Sequence, residues 1–267
     1  MNTAQIRLAV AELTAALTGD FDVPTVLHSV AGHARECFQA VSAAVILTDQ
    51  RSGGSGVQIV AEAMRDGSMI ADPRLHVAGP GMDSARDGAV AMIGDLDEGG
   101  AEPHADGSAT RWADYRARAR SAGLRSVRAF PITALTLPLG SVVVHADEPW
   151  GTLRPNDFGQ ILADLTAIAL STGRQDGRLV AVADTIDDVL AGTAVIATAT
   201  GIIAEHFGLE VESARARLLR LARAHGRTPT AQAEALVAAH IRAPANPAAN
   251  PALRPPPDLP PPTSIHR

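Results

Sequence analysis

The chain has 267 residues, 46% hydrophobic, 19% charged and 3% aromatic, which at about 100–200 residues per domain predicts one large domain or two ordinary ones. Its 23 basic residues, all Arg, stand against 29 acids, and the net charge of −6 excludes a wholesale basic coat for nucleic acid but not a local basic patch. The single cysteine, Cys37, excludes an intramolecular disulfide and a cysteine-rich zinc module.

The N-terminus has no basic segment leading into an apolar run, and no stretch approaches about 18 consecutive apolar residues. The expectation is a cytoplasmic protein without signal peptide or membrane span. Leu8, Leu13 and Leu17 fall on a helical stripe, and Pro24 opens a second helix with Val26, Leu27, Val30, Ala34 and Phe38 at helical spacing. The stretches Ala43 to Asp49 and Val57 to Met64 flank Gly53, Gly54 and Gly56 and predict a hairpin. Further strands are expected over Ala89 to Leu96, Ser126 to Ile132 and Gly140 to Ala146, with a helix around Trp112 to Ala122 and a last one from Asn156 to Leu170. Residues 97–110 read as a loop insertion. The whole predicts an α+β domain on an antiparallel sheet over residues 1–170.

The run from Gly79 to Gly88, then Arg111 and Trp112, Ala122 to Val127 and Leu139 to Ala146, follow one another as blocks do in a GAF domain, which residues 10–170 resemble. Met82 and Asp83 stand where Pro-Cys often stands, so the thiol of that pattern is missing. The resemblance implies a sensor domain for an unidentified small molecule. Pocket residues would come from the sheet face and the loops around Gly79 to Asp95.

Residues 171–190 are expected to form a connecting helix. Leu179, Val182, Ile186, Val189, Thr193, Ile196, Thr200, Ile203 and Phe207 alternate steps of three and four, the seam of a two-helix contact. The first half fits a homodimeric coiled coil and the second packing within a bundle; intramolecular packing throughout is the alternative. Charge reverses beyond it, with six Arg against four acids over residues 190–242. Ala214, Leu218, Leu221 and Ala222 share one face of a helix, while Arg217, Arg220 and Arg223 recur at spacings of three with Arg215 beside them. Thr228 and Pro229 start a third helix as cap and first-turn proline. Guanidinium groups on such a face bind RNA phosphates or stack on unpaired bases; a merely solvated helix face is the competing reading.

Val195, Ile196, Ala199, Gly201, Ile202 and Ile203, then Gly208, Ala214, Leu218, Leu219, Arg220 and Ala222, and finally Ala233 and Val237, resemble an ANTAR domain, an all-α three-helix RNA-binding module. Thr200 and Thr193 occupy positions that usually hold Lys and Arg. The resemblance implies an antitermination regulator, a homodimer on structured RNA with two leader stem-loops, whose contacts would come from Thr200, Gly201, Arg215, Arg217, Arg220, Arg223, His225 and Arg227 in the bundle of residues 191–242. The alternative is a sensor whose bundle serves only to dimerise or dock a protein.

Nine of the 18 prolines crowd into residues 243–267, which predicts a disordered tail with polyproline II character. His28, His33 and Cys37 share one predicted helix, but only 33 and 37 share a face, so no metal site is expected. No cofactor and no enzymatic activity are expected: the glycine-rich run lacks a following GK[ST], and no nucleophile-elbow motif is present. The cluster Arg111, Arg116, Arg118, Arg120, Arg125 and Arg128 reads as a helix outer face offset by nearby acids.

Overall fold

A computed structural model describes residues 3–19, 21–49, 56–65, 72–98, 112–134, 137–152, 154, 156–172, 182–242 and 250–254. The chain divides into two compact units, Met1–Val189 and Leu190–Arg267.

In the first unit α1 (Thr3–Leu17) buries Ala9 and Leu13, one turn apart. The expected stripe holds at Leu13, with Leu17 half-buried, but not at Leu8, which is 58% exposed while Ala9 beside it is buried. α2 (Val23–Cys37) is capped by Asp22, whose carboxylate accepts from the Thr25 amide and hydroxyl, with Pro24 in the first turn. Val26, Leu27, Val30, Ala34 and Phe38 are all buried, as their spacing predicts.

β1 (Ser42–Asp49) and β2 (Gly56–Met64) form the expected antiparallel hairpin, with a bulge at Val45/Ile46. A short 3-10 turn (Pro73–Leu75) and α3 (Pro80–Asp87) follow. β3 is only Ala91–Ile93, shorter than the predicted Ala89 to Leu96. Beyond Ile93 the backbone leaves the ladder: Gly94 accepts from the Trp150 amide, and Asp95 accepts from the Asp97 amide and is paired with Arg125 at 2.8 Å. α4 (Ala113–Ser121), β4 (Ser126–Ala134), β5 (Leu137–Ala146) and α5 (Asn156–Thr172) complete the unit. The five strands are antiparallel in the order β2-β1-β5-β4-β3. This is an α+β domain on an antiparallel sheet.

Alternation along β4 and β5 assigns the two faces. Val127, Ala129 and Val143 pack with Leu75, Ala85, Ile93, Tyr115 and Ala119 under α3 and α4. Phe130 turns the other way, into a cluster with Phe38, Trp150 and α5. α5 approaches so closely that a Cβ at Gly159 would collide with the Phe130 ring, which is fully buried. Gly159→Ala is therefore expected to cost about 1–3 kcal/mol through overpacking. Gly32, in α2 with nothing within 4 Å of its Cβ position, is the contrast: Gly32→Ala is expected to add about 0.5–1 kcal/mol through helix propensity. Thermal melts of the two variants check the pair, and the same sign for both would overturn the packing account.

α6 (Val182–Phe207) is helical throughout, Gly192 included. Leu179 and the side chains of Val182 and Ile186 lie outside the described residues, as do the hairpin turn at Gly53 and Gly54, Arg111 and most of the loop insertion. By length and composition alone, Asp187–Phe207 is long and apolar enough to cross a membrane, with a mean hydropathy of 1.4; no other described helix is. In the second unit α6 ends at Gly208, at φ +61°, and α7 (Val211–Ala224) ends at Gly226, at φ +62°. α8 (Pro229–Arg242) starts where Thr228 accepts from the Ala231 amide. Ile196, Ala199, Ile203, Ala214, Leu218, Leu221, Ala233 and Leu236 close one core.

Among the described tail residues, 250–254, the expected disorder is not found. Pro251–Leu253 form a 3-10 turn whose Ala252 and Leu253 join that core. Asn250 donates to the Leu236 carbonyl, and Gln232 donates to the Ala252 carbonyl. Buried Ala252 and Leu253, with the Asn250 and Gln232 hydrogen bonds, dock the segment although its composition is that of a disordered chain. Other tail residues lie outside the described set.

Candidate functional site

The apolar side of α7 decides which of its arginines face water. With Ala214, Leu218, Leu221 and Ala222 drawn into the core, Arg220 and Arg223 are exposed one turn apart. Arg217 does not join them: its guanidinium lies 3.7 Å from the centre of the Phe207 ring, with Nε buried and unbonded. The predicted three-arginine ridge is thus reduced to two free-standing members by an aromatic side chain on the neighbouring helix. Arg215 is half-buried and engaged within the fold.

The other predicted contact residues separate in the same way. Thr200 is buried, and its hydroxyl donates to the Ile196 carbonyl at 2.8 Å, so it is not displayed to a ligand. Gly201 is exposed, with open space at its Cβ position. His225 Nε2 lies 2.8 Å from the Arg254 carbonyl, so this ring holds the docked tail segment. Arg227 is exposed and reaches Gln232 at 3.5 Å.

A second arrangement lies inside the first unit, on residues that no motif singles out. His145, on β5, places Nε2 2.8 Å from the Tyr115 hydroxyl and Nδ1 3.4 Å from the Ser42 hydroxyl. The His76 ring stands 4.6 Å from that of His145, and its Nε2 lies 3.0 Å from Glu62 Oε1. His76 Nδ1 is buried without a partner. Burial, and secondarily the neighbouring His76, holds the His145 pKa well below the usual histidine range. Burial likewise pushes the Tyr115 phenol up. A neutral imidazole that accepts from Tyr115 at Nε2 carries its proton on Nδ1, facing Ser42. The available signal was a polar residue in the run Gly140 to Ala146, otherwise small and apolar.

A cleft of about 340 Å³ lies between α3, β3 and α4, lined by Asp83, Asp87, Ala89, Val90, Met92, Trp112 and Arg116. Trp112 Nε1 donates to Asp83 at 2.8 Å, which fixes the indole as one wall. Arg116 Nε is buried there without a partner. These residues fall within the predicted pocket region around Gly79 to Asp95 and on the helix after it. Other arginines of the 111–128 cluster are held internally: Arg125 by Asp95 and Asp97, Arg120 by the Leu96 carbonyl, and Arg128 by Asn156 and the face of Trp150. All three are thus engaged in contacts within the unit.

Among the described residues no group of three or more His, Cys, Asp or Glu side chains is placed to hold a metal ion. His33 lies 3.4 Å from Glu12, and burial pushes the Cys37 thiol up to about 11.

No protein-family model matches the chain, and no curated protein does. Among solved structures it is similar to the phycocyanobilin-bound GAF domain of a cyanobacterial phytochrome, at 14% identity and TM-score 0.49, over 65% of this chain and 96% of that one. The phycoerythrobilin-bound GAF domain of a cyanobacterial phytochrome gives 12% identity and TM-score 0.46, over 70% and 98%. The chromophore-binding domain of a bacteriophytochrome from R. palustris gives 16% and 0.44, and the match takes in 64% of this chain and 61% of that one. At these values neither ligand nor activity transfers to this chain.

Proposed function

We propose that this chain is a signal-responsive RNA-binding regulator of transcription antitermination, with a GAF-like sensor in the first unit and an ANTAR-like bundle in the second that binds leader stem-loops as a homodimer. The reading is carried by one observation: Ile196, Ala199, Ile203, Ala214, Leu218, Ala222 and Ala233 of the ANTAR-like pattern are buried, Val195, Ile202, Leu219 and Val237 are half-buried, and Arg220 stays in water beside Arg223. The cleft at Trp112 and Arg116 is the place in the sensor for a small molecule. A ligand there shifts RNA binding only by its differential affinity for two conformations. The reading assigns no catalytic residue, cofactor or membrane contact.

Binding of the full chain to a pair of short stem-loops at two salt concentrations, against a scrambled single strand, tests this. Selective, salt-sensitive binding is expected. Arg220→Ala with Arg223→Ala should weaken it and flatten the slope of log K against log salt by about 1–2 units. Unchanged affinity in the double variant would remove these residues from the site.

The alternative, a bundle that dimerises or docks a protein, is favoured by Thr200 and Arg217, since one is buried and the other committed to Phe207. No stem-loop preference from a folded dimer would establish it.

A further inference from the structure

We propose that the corner between α7 and α8, completed by Arg254 of the docked tail segment, binds phosphates of the RNA backbone, and that His225 is the latch that places Arg254 there. The tail runs along α8 in one direction. Asn250 donates to the Leu236 carbonyl, Gln232, one turn earlier in α8, donates to the Ala252 carbonyl, and His225, at the C-terminal end of α7, lies 2.8 Å from the Arg254 carbonyl. Each step of the segment thus brings it closer to the turn between the two helices. Ala252 and Leu253 are buried, and Arg254, next in sequence, is exposed.

The charge at this corner is unbalanced. Residues 213–233 hold five arginines and no acid. Arg215 and Arg217 are engaged within the fold, but Arg223 and Arg227, each two residues from His225, are exposed. The docked segment adds a third guanidinium at the same end of the bundle. A cation in the last turn of α7 offsets the dipole of that helix, which accounts for Arg223 but not for cations brought to it from the following turn and from the tail. Like charges gathered without acids repel one another, and a phosphate backbone relieves that repulsion while its oxygens fill the guanidinium forks. His225 itself is a positioning residue, because its Nε2 is occupied by the Arg254 carbonyl.

The site rests on the RNA-binding reading above. Binding of the full chain to the stem-loop pair, titrated with salt, tests it. Arg254→Ala keeps Leu253 and the backbone carbonyl, so the thermal melt should be nearly unchanged, while affinity falls about three- to tenfold and the slope of log K against log salt flattens by about 1 unit. His225→Ala should flatten the slope equally. Since the ring acts through Arg254, the double variant should bind no more weakly than either single one. Additive losses would place His225 in direct contact with RNA and overturn the latch. A salt slope unchanged in Arg254→Ala, when Arg220→Ala with Arg223→Ala does weaken binding, overturns the corner site and leaves the RNA-binding reading standing. A parent chain that binds neither stem-loop overturns both.

Discussion

Ending the chain after residue 249 is expected to destabilise the second unit by about 3–5 kcal/mol relative to a chain ending after Arg254. The difference is five residues of a proline-rich tail. Leu253, at 3% exposure, closes the core beside Leu236 and Ala233, and removing it returns that apolar surface to water. Hydrogen bonds are lost with it, that of His225 to the Arg254 carbonyl among them. The Leu236 carbonyl loses the Asn250 amide, and the buried Gln232 amide loses the Ala252 carbonyl. A buried donor left without an acceptor costs more than the bond contributed, so the Gln232 hydrogen bond weighs more than an exposed one would. Leu253→Ala should reproduce most of the effect, at about 2–3 kcal/mol, and Asn250→Ala a smaller part. Urea denaturation followed by helical circular dichroism measures all three. Equal midpoints for the two truncated chains would show that the segment rests on the bundle without supporting it.

Acidification should weaken the first unit through His145. In the unfolded chain this imidazole titrates near the ordinary histidine value of about 6.5, whereas in the fold its pKa is held well below it by burial and by His76. As pH falls through the unfolded value, the unfolded state takes up a proton that the folded state refuses, so the contribution present above about 6.5 is lost progressively below it. The surroundings offer no relief. Tyr115 and Ser42 are neutral, His76 adds like charge when protonated, and Glu62 faces His76, at 3.0 Å from its Nε2. His145→Gln keeps a hydrogen-bonding side chain beside Tyr115 but cannot titrate, and should show a flatter fall in stability between about pH 7.5 and 5.5. Tyr115→Phe instead leaves His145 Nε2 without its partner and should cost about 1–3 kcal/mol at neutral pH. Parallel pH profiles for the parent chain and His145→Gln would rule out the ring as a source of acid sensitivity.

Much of the molecule was legible before its structure because it depends on short-range rules. Pro24 in the first turn of α2, the Thr228–Pro229 start and the apolar strand runs each need only neighbouring residues to specify them. Candidate contacts were harder. Arg217, Arg220 and Arg223 are indistinguishable by spacing, yet one faces Phe207 and two face water, because that ring arrives from another helix. Thr200 reads as a polar position on a helix, but its hydroxyl is satisfied by its own backbone, which lets the helix bury it. Ala9 and not Leu8 is buried in α1, which packs on α2 and α5, contacts that the spacing of its leucines does not specify.

Composition and periodicity by themselves determined the α+β class of the first unit and the helical character of the second, since apolar spacing fixes which side of each element seeks the core. Only the tertiary structure decided the rest. It brought Glu62, His76, Tyr115 and His145 together from four separate segments and folded residues 250–254 back onto α8. Each of these depends on contacts between residues far apart in the chain, whose geometry is set by how whole elements pack and not by any local preference.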